Sequence, residues 1–120
     1  MKKFFILFLM LCLLLTGCFS RGVDLSADAR QLGMNILSTT DNYLNGVSTA
    51  STASSLIQQH CYQISTVIIP GPSQDETLKT TCEIVNYAML RIAEGETTDN
   101  HDLINARNQL ADLMGEKRWK

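Results

Sequence analysis

The chain has 120 residues, with ten basic and twelve acidic side chains, a formal charge of −2 and 45% hydrophobic residues. That is one domain's worth of sequence, and the charge balance argues against a nucleic-acid partner, which calls for a basic face. The signatures of phosphate binding, acyl transfer and zinc proteolysis are missing: there is no Gly-rich phosphate loop, no Gly-x-Ser-x-Gly elbow and no His-Glu-x-x-His.

Lys2 and Lys3 give the chain a positive start, and an apolar run from Phe4 to Leu15 follows. Spanning a bilayer takes about 20 apolar residues, so this run fits the core of an export signal instead, with the lysines held on the cytoplasmic side. Thr16 and Gly17 are small, as a peptidase subsite requires. Leu15-Thr16-Gly17-Cys18 resembles the lipobox of bacterial lipoproteins at every position.

The resemblance implies that the Cys18 thiol receives a diacylglycerol group. A signal peptidase then cuts after Gly17, and Cys18 becomes the first residue of an exported protein anchored in membrane lipid. Two acyl chains hold a protein stably where one holds it marginally. Phe19 stands where an Asp would suggest inner-membrane retention, so the resemblance favours the outer membrane in a Gram-negative host. The organisation expected is a signal peptide at residues 1–17, a tether at 18–23, a helical domain at 24–115 and a basic tail at 116–120. Taking Lys2 and Lys3 from the ten basic residues leaves eight against twelve acidic ones, a formal −4 for the exported part.

In the first predicted helix Asp24 or Ser26 is the cap, and Asp28 suits the helix dipole. Leu25, Ala29, Leu32, Ile36 and Tyr43 recur at helical spacing, with Leu37 and Leu44 beside them, until Asn45-Gly46 stops the helix. The next stretch is rich in Ser, Thr and Ala. Ser48 or Thr49 is its candidate cap, and Ile57, Cys61, Ile64 and Ile68 form the stripe, flanked by His60 and Val67. Pro70-Gly71-Pro72 breaks the second helix.

Ser73 with Glu76 matches a capping box for the third helix. There Leu78, Cys82, Val85, Met89 and Ile92 make a heptad-like stripe ended by Glu94-Gly95. Asp99 with Asp102 is a weaker capping pattern. Leu103, Ala106, Leu110 and Leu113 follow, widened by Ile104, Ala111 and Met114, and Gly115 is the stop. Four amphipathic helices with short turns predict an all-α antiparallel four-helix bundle, because each buries its apolar face only against the others.

If residues 1–17 leave and Cys18 takes the lipid, Cys61 and Cys82 remain. A hairpin turning at Gly71-Pro72 places residue n opposite residue 143 − n, which sets Cys61 against Cys82 with both on apolar stripes. In an exported domain this pair reads first as a disulfide, worth roughly 3 kcal/mol on the chain-entropy model. Buried free thiols or a metal site are the alternatives.

A zinc site from Cys61, Cys82, His60 and His101 is a poor construction, since adjacent side chains on a helix diverge by about 100° and His101 belongs to the far end of the bundle. Asp75-Glu76 suits an opening helical turn, and Glu94, Glu96, Asp99 and Asp102 read as helix-end solvation. Lys117, Arg118, Trp119 and Lys120 suit anionic headgroups but are too few to hold a membrane alone, and a frayed, exposed end is expected there. No catalytic residue, cofactor or metal is expected. The function expected is a non-catalytic binding or assembly module with an envelope protein partner. The alternative is a metal- or redox-handling lipoprotein using Cys61, Cys82 and a His.

Overall fold

The computed structural model describes residues 24–68 and 74–120. The lipobox with Cys18, the tether, the Pro70-Gly71-Pro72 break and Ser73 lie outside the described residues. Four helices follow one another: α1 (Ala27–Leu44), α2 (Ala50–Val67), α3 (Asp75–Ala93) and α4 (His101–Met114). No strand occurs among the described residues.

Local chemistry sets most of the boundaries. Ser26 caps α1, its Oγ accepting from the Ala29 amide, and Thr49 caps α2 through the Thr52 amide. Each cap satisfies an N–H that the first helical turn leaves without a partner. Three helices end in the same way. Gly46, Gly95 and Gly115 have φ of 78°, 78° and 71°, and the amides that follow them reach back to Asn42, Arg91 and Ala111. That reach-back is the Schellman arrangement, which only glycine enters without a steric cost.

Consecutive helices pack antiparallel, α1 closes the ring against α4, and α1 also touches α3 across the middle. The core is the sum of the four stripes: Ile36 from α1, Ile57 and Ile64 from α2, Leu78, Val85 and Met89 from α3, and Leu103 and Leu110 from α4, all fully excluded from solvent. Burying each such side chain stabilises the fold by about 1.5–3 kcal/mol. Thr40 is also fully buried, and its hydroxyl donates to the Ile36 carbonyl at 2.8 Å.

The up-down-up-down path gives the bundle two distinct ends. One end gathers the start of α1, the start of α3 and the end of α4. There the Gln74 amide donates to the Asp24 carbonyl at 2.8 Å, and Arg30 on α1 donates to the Met114 carbonyl at 3.4 Å. At the other end the Tyr43 hydroxyl donates to Asn100 at 3.0 Å, tying the finish of α1 to the start of α4.

Gly33 explains how α1 comes close to both α3 and α4. A Cβ there would lie 2.8 Å from the Met114 sulfur and 3.1 Å from Leu78 Cδ1.

Candidate functional site

Three regions carry chemistry beyond packing: the α2–α3 seam, the end of the bundle where the chain enters at Asp24, and the cluster around Arg107 that holds residues 116–120. The seam holds the cysteine pair. Cys82 is fully buried and Cys61 half-buried. Cys61 Sγ–H donates to the Cys82 carbonyl at 3.4 Å, so residues 61 and 82 do face each other.

The expected Cys61–Cys82 disulfide is not present, and both thiols are free. The geometry gives the reason. Cys82 lies at the centre of its stripe and Cys61 at the edge of its own, so Cys61 Sγ meets the main chain of α3 rather than the sulfur. Burial pushes the Cys61 thiol up to about 12, with a smaller contribution from the Glu83 carboxylate. Cys82 is raised still further, first by burial, then by Cys61 and Glu83. Protonated thiols are poor nucleophiles and poor metal ligands.

The histidines do not join them. His60 is half-buried on α2, with Nδ1 3.4 Å from Gln63 Oε1, and His101 is exposed at the start of α4, 3.3 Å from Asn105. Among the described residues α2 and α4 do not touch, which keeps His101 from the seam. No group of three or more His, Cys, Asp or Glu side chains suited to a metal occurs among the described residues.

The carboxylates divide between two roles. Glu96 and Asp102 each lie 3.5 Å from Arg91 on the surface. Asp99 Oδ1 accepts from the His101 amide at 2.9 Å and serves the start of α4 from one residue before the cap position. Asp75 lies in the opening turn of α3, as expected, and does more there than suit the helix dipole. It is fully buried. Its two oxygens accept from the Ser26 amide at 3.0 Å and the Ser26 hydroxyl at 2.7 Å, so one carboxylate joins the starts of α1 and α3. The cap position of α3 is Gln74, which makes no side-chain cap bond.

The tail overturns a second expectation. It is strapped to the bundle rather than frayed, and the anchor is Arg107, a charged residue on the buried stripe of α4. Arg107 is 6% exposed. Its Nε and Nη2 hold both oxygens of Asp41 on α1 at 2.8 and 3.0 Å, and Nη1 donates to the Lys117 carbonyl at 2.6 Å and to Asn108 Oδ1 at 3.1 Å. The next side chain reads the tail's backbone: Asn108 Oδ1 accepts from the Trp119 amide at 2.6 Å, and Asn108 Nδ2 donates to the Trp119 carbonyl at 3.2 Å. The Trp119 ring centroid lies 6.0 Å from the Arg107 guanidinium. Arg118 forms an exposed two-point pair with Asp112 at 3.0 and 3.1 Å.

Two cavities flank this strap, about 340 Å³ lined by Leu37, Ser38, Asp41 and Arg107 and about 490 Å³ lined by Arg30, Met114 and Gly115, with Met34, Glu116 and Lys117 bordering both. A third, about 290 Å³, runs between α3 and α4 beside Ile84 and Tyr87. Arg107 carried a readable signal: it falls four residues after Leu103 and three before Leu110, where a buried charge demands a partner. The identity of that partner, Asp41, follows only from the pairing of α1 with α4.

No helix among the described residues is long and apolar enough to cross a membrane. Comparison of the chain with protein-family models, with curated proteins and with solved structures finds no match.

Proposed function

We propose that the chain is an exported lipoprotein, held in a bacterial membrane by an acylated Cys18 and serving as a non-catalytic binding or assembly module for an envelope protein. One observation carries this reading: two lysines, an apolar run and Leu15-Thr16-Gly17-Cys18 stand in that order, a few residues ahead of a capped four-helix domain. The furrow between α3 and α4 supports the binding role. It places Ile84 and Tyr87, 44% and 65% exposed, beside a concave surface with Arg91, Asn105 and Gln109 at its rim. The metal- or redox-handling alternative has less behind it, because burial holds both seam thiols protonated.

The intact mass of the protein extracted from its native membranes tests the anchor. A diacylated or triacylated Cys18 is the expected result, and an unmodified chain that retains residues 1–17 refutes the reading. A photo-cross-linker replacing Tyr87 in intact membranes is expected to give an adduct with an envelope protein. No adduct above the unirradiated background refutes the module.

A further inference from the structure

The strap at residues 116–120 runs from the end of α4 back along that helix, so Trp119 is held beside Asn108 in mid-helix. It therefore points away from the end of the bundle where the chain enters at Asp24. The contacts that hold it are the Glu116 amide on the Ala111 carbonyl, the Lys117 carbonyl on Arg107, the Trp119 backbone on Asn108, the Arg107 guanidinium 6.0 Å from the Trp119 ring and the exposed Arg118–Asp112 pair. Exposed ion pairs contribute little, and none of these contacts uses the side chains of Lys117 or Lys120. The hinge is Gly115 at φ 71°, a residue that adopts either hand of backbone at little cost.

We propose that this strap is a two-position arm that leaves the bundle for an anionic lipid surface. The inference rests on the lipoprotein reading for where that surface lies. The six peptide steps from Cys18 to Asp24 span at most about 21 Å, and the end of α4 shares that end of the bundle, as the Arg30–Met114 bond records. Rotation about Gly115 sends the five tail residues outward by up to about 16 Å, toward the surface that holds Cys18.

What the arm presents suits such a surface. Lys117, Arg118 and Lys120 flank the chain's one Trp, and Glu116 stays next to the hinge, its amide leaving the Ala111 carbonyl as Gly115 rotates. Basic residues are drawn to anionic headgroups, and tryptophan settles at the membrane interface. Closed, the arm covers Arg107. Open, it clears the furrow along α1 over Met34, Leu37 and Asp41.

The single Trp makes the test direct. The full exported chain, residues 18–120, is coupled through the Cys18 thiol to a maleimide lipid in phosphatidylglycerol vesicles and, separately, in phosphatidylcholine vesicles, and Trp119 emission and acrylamide quenching are recorded. The expected result is a blue shift and loss of quenching with phosphatidylglycerol alone, reversed at high salt. Asn108→Ala, which frees the strap, should strengthen the response, and Lys117→Gln or Lys120→Gln should each lower the ratio of lipid-bound to strapped Trp119 about fivefold. Both lysine side chains lie outside the core, so those variants keep the test decisive if Asn108→Ala alters the helical circular dichroism. Unchanged Trp119 emission with phosphatidylglycerol, or an equal shift with phosphatidylcholine, overturns the proposal. This format does not need the natural acylation, so a failed arm stands apart from a failed anchor, which the mass of the native protein reports separately.

Discussion

Removing Asp41 should harm the protein more than removing Arg107, although both changes break the same ion pair. The side chains are unequally buried: Arg107 is 7% exposed and Asp41 28%. In Asp41→Ala the guanidinium stays inside the bundle with the Lys117 carbonyl, Asn108 Oδ1 and the Trp119 ring but no counter-charge at hydrogen-bond distance. Stranding a buried charge costs about 3–5 kcal/mol, and the partial hydration at this site brings the expectation to about 3 kcal/mol. In Arg107→Met an apolar side chain continues the stripe between Leu103 and Leu110, and Asp41 turns to water. The expected cost is about 1 kcal/mol, mainly from lost hydrogen bonds, together with release of the tail.

The double variant Asp41→Leu/Arg107→Met should return close to the parent stability, since a well-packed apolar replacement for a buried pair is often neutral. Urea unfolding followed by far-ultraviolet circular dichroism measures all three, and Trp119 emission reports the tail in parallel. If Arg107→Met proves as destabilising as Asp41→Ala, the pair is not an unequally buried one and the reasoning fails.

Three other outcomes are expected. Gly46→Ala and Gly95→Ala should each lower stability by about 1 kcal/mol in thermal melts, because both positions have φ of 78° with nothing within 4 Å of the new methyl, leaving backbone conformation as the only cost. Gly33→Ala should stabilise a Met114→Ala background by about 1 kcal/mol through helix propensity yet give distinctly less in the parent, where the new methyl displaces the Met114 sulfur at 2.8 Å; additivity in the cycle would show that the contact carries no energy.

The third concerns the thiols, whose folded-state values are raised above the ordinary 9.0, Cys61 to about 12. Their contribution is fully present below pH 9 and is lost as pH rises from there through 12, by up to about 1.4 kcal/mol per thiol per pH unit. The difference in urea stability between the parent and Cys61→Ala/Cys82→Ala should therefore narrow between pH 8 and 11. Both thiols should resist iodoacetamide in the folded protein and react after denaturation without reductant. Failure to react then would mean an oxidised pair and a different seam.

Much of the architecture was legible before any coordinates, because it is written in local rules. Ser26 and Thr49, each one of two candidate caps in the sequence, start helices through hydroxyls that accept from amides three residues on, and Gly46, Gly95 and Gly115 announce stops through a backbone conformation that side chains oppose. Of the stripe Leu78, Cys82, Val85, Met89 and Ile92 on α3, the first four proved fully buried and Ile92, at the end of the helix, partly buried. Spacing on one helix dictates which residues share a face whatever the helix packs against. Asp75 shows the complementary limit: its place in the opening turn of α3 follows from its neighbours in sequence, and only the meeting of α1 and α3 makes it the buried acceptor for Ser26.

The primary structure alone settles four amphipathic helices, the glycine stops of three of them and the order in which they pair, because periodicity, glycine chemistry and short turns act within a few residues; the starts of α3 and α4 fall instead at Gln74 and Asn100, which make no side-chain cap bond. Tertiary packing alone settles the rest: Asp41 as the partner of Arg107, the strap that ends at Trp119, the close pass of α1 at Gly33, and the meeting of Cys61 with the backbone of Cys82 instead of its sulfur. Each of these depends on the lateral offset and distance between two faces. A one-dimensional pattern records which side a residue is on, but not how deep it sits or which atom it meets.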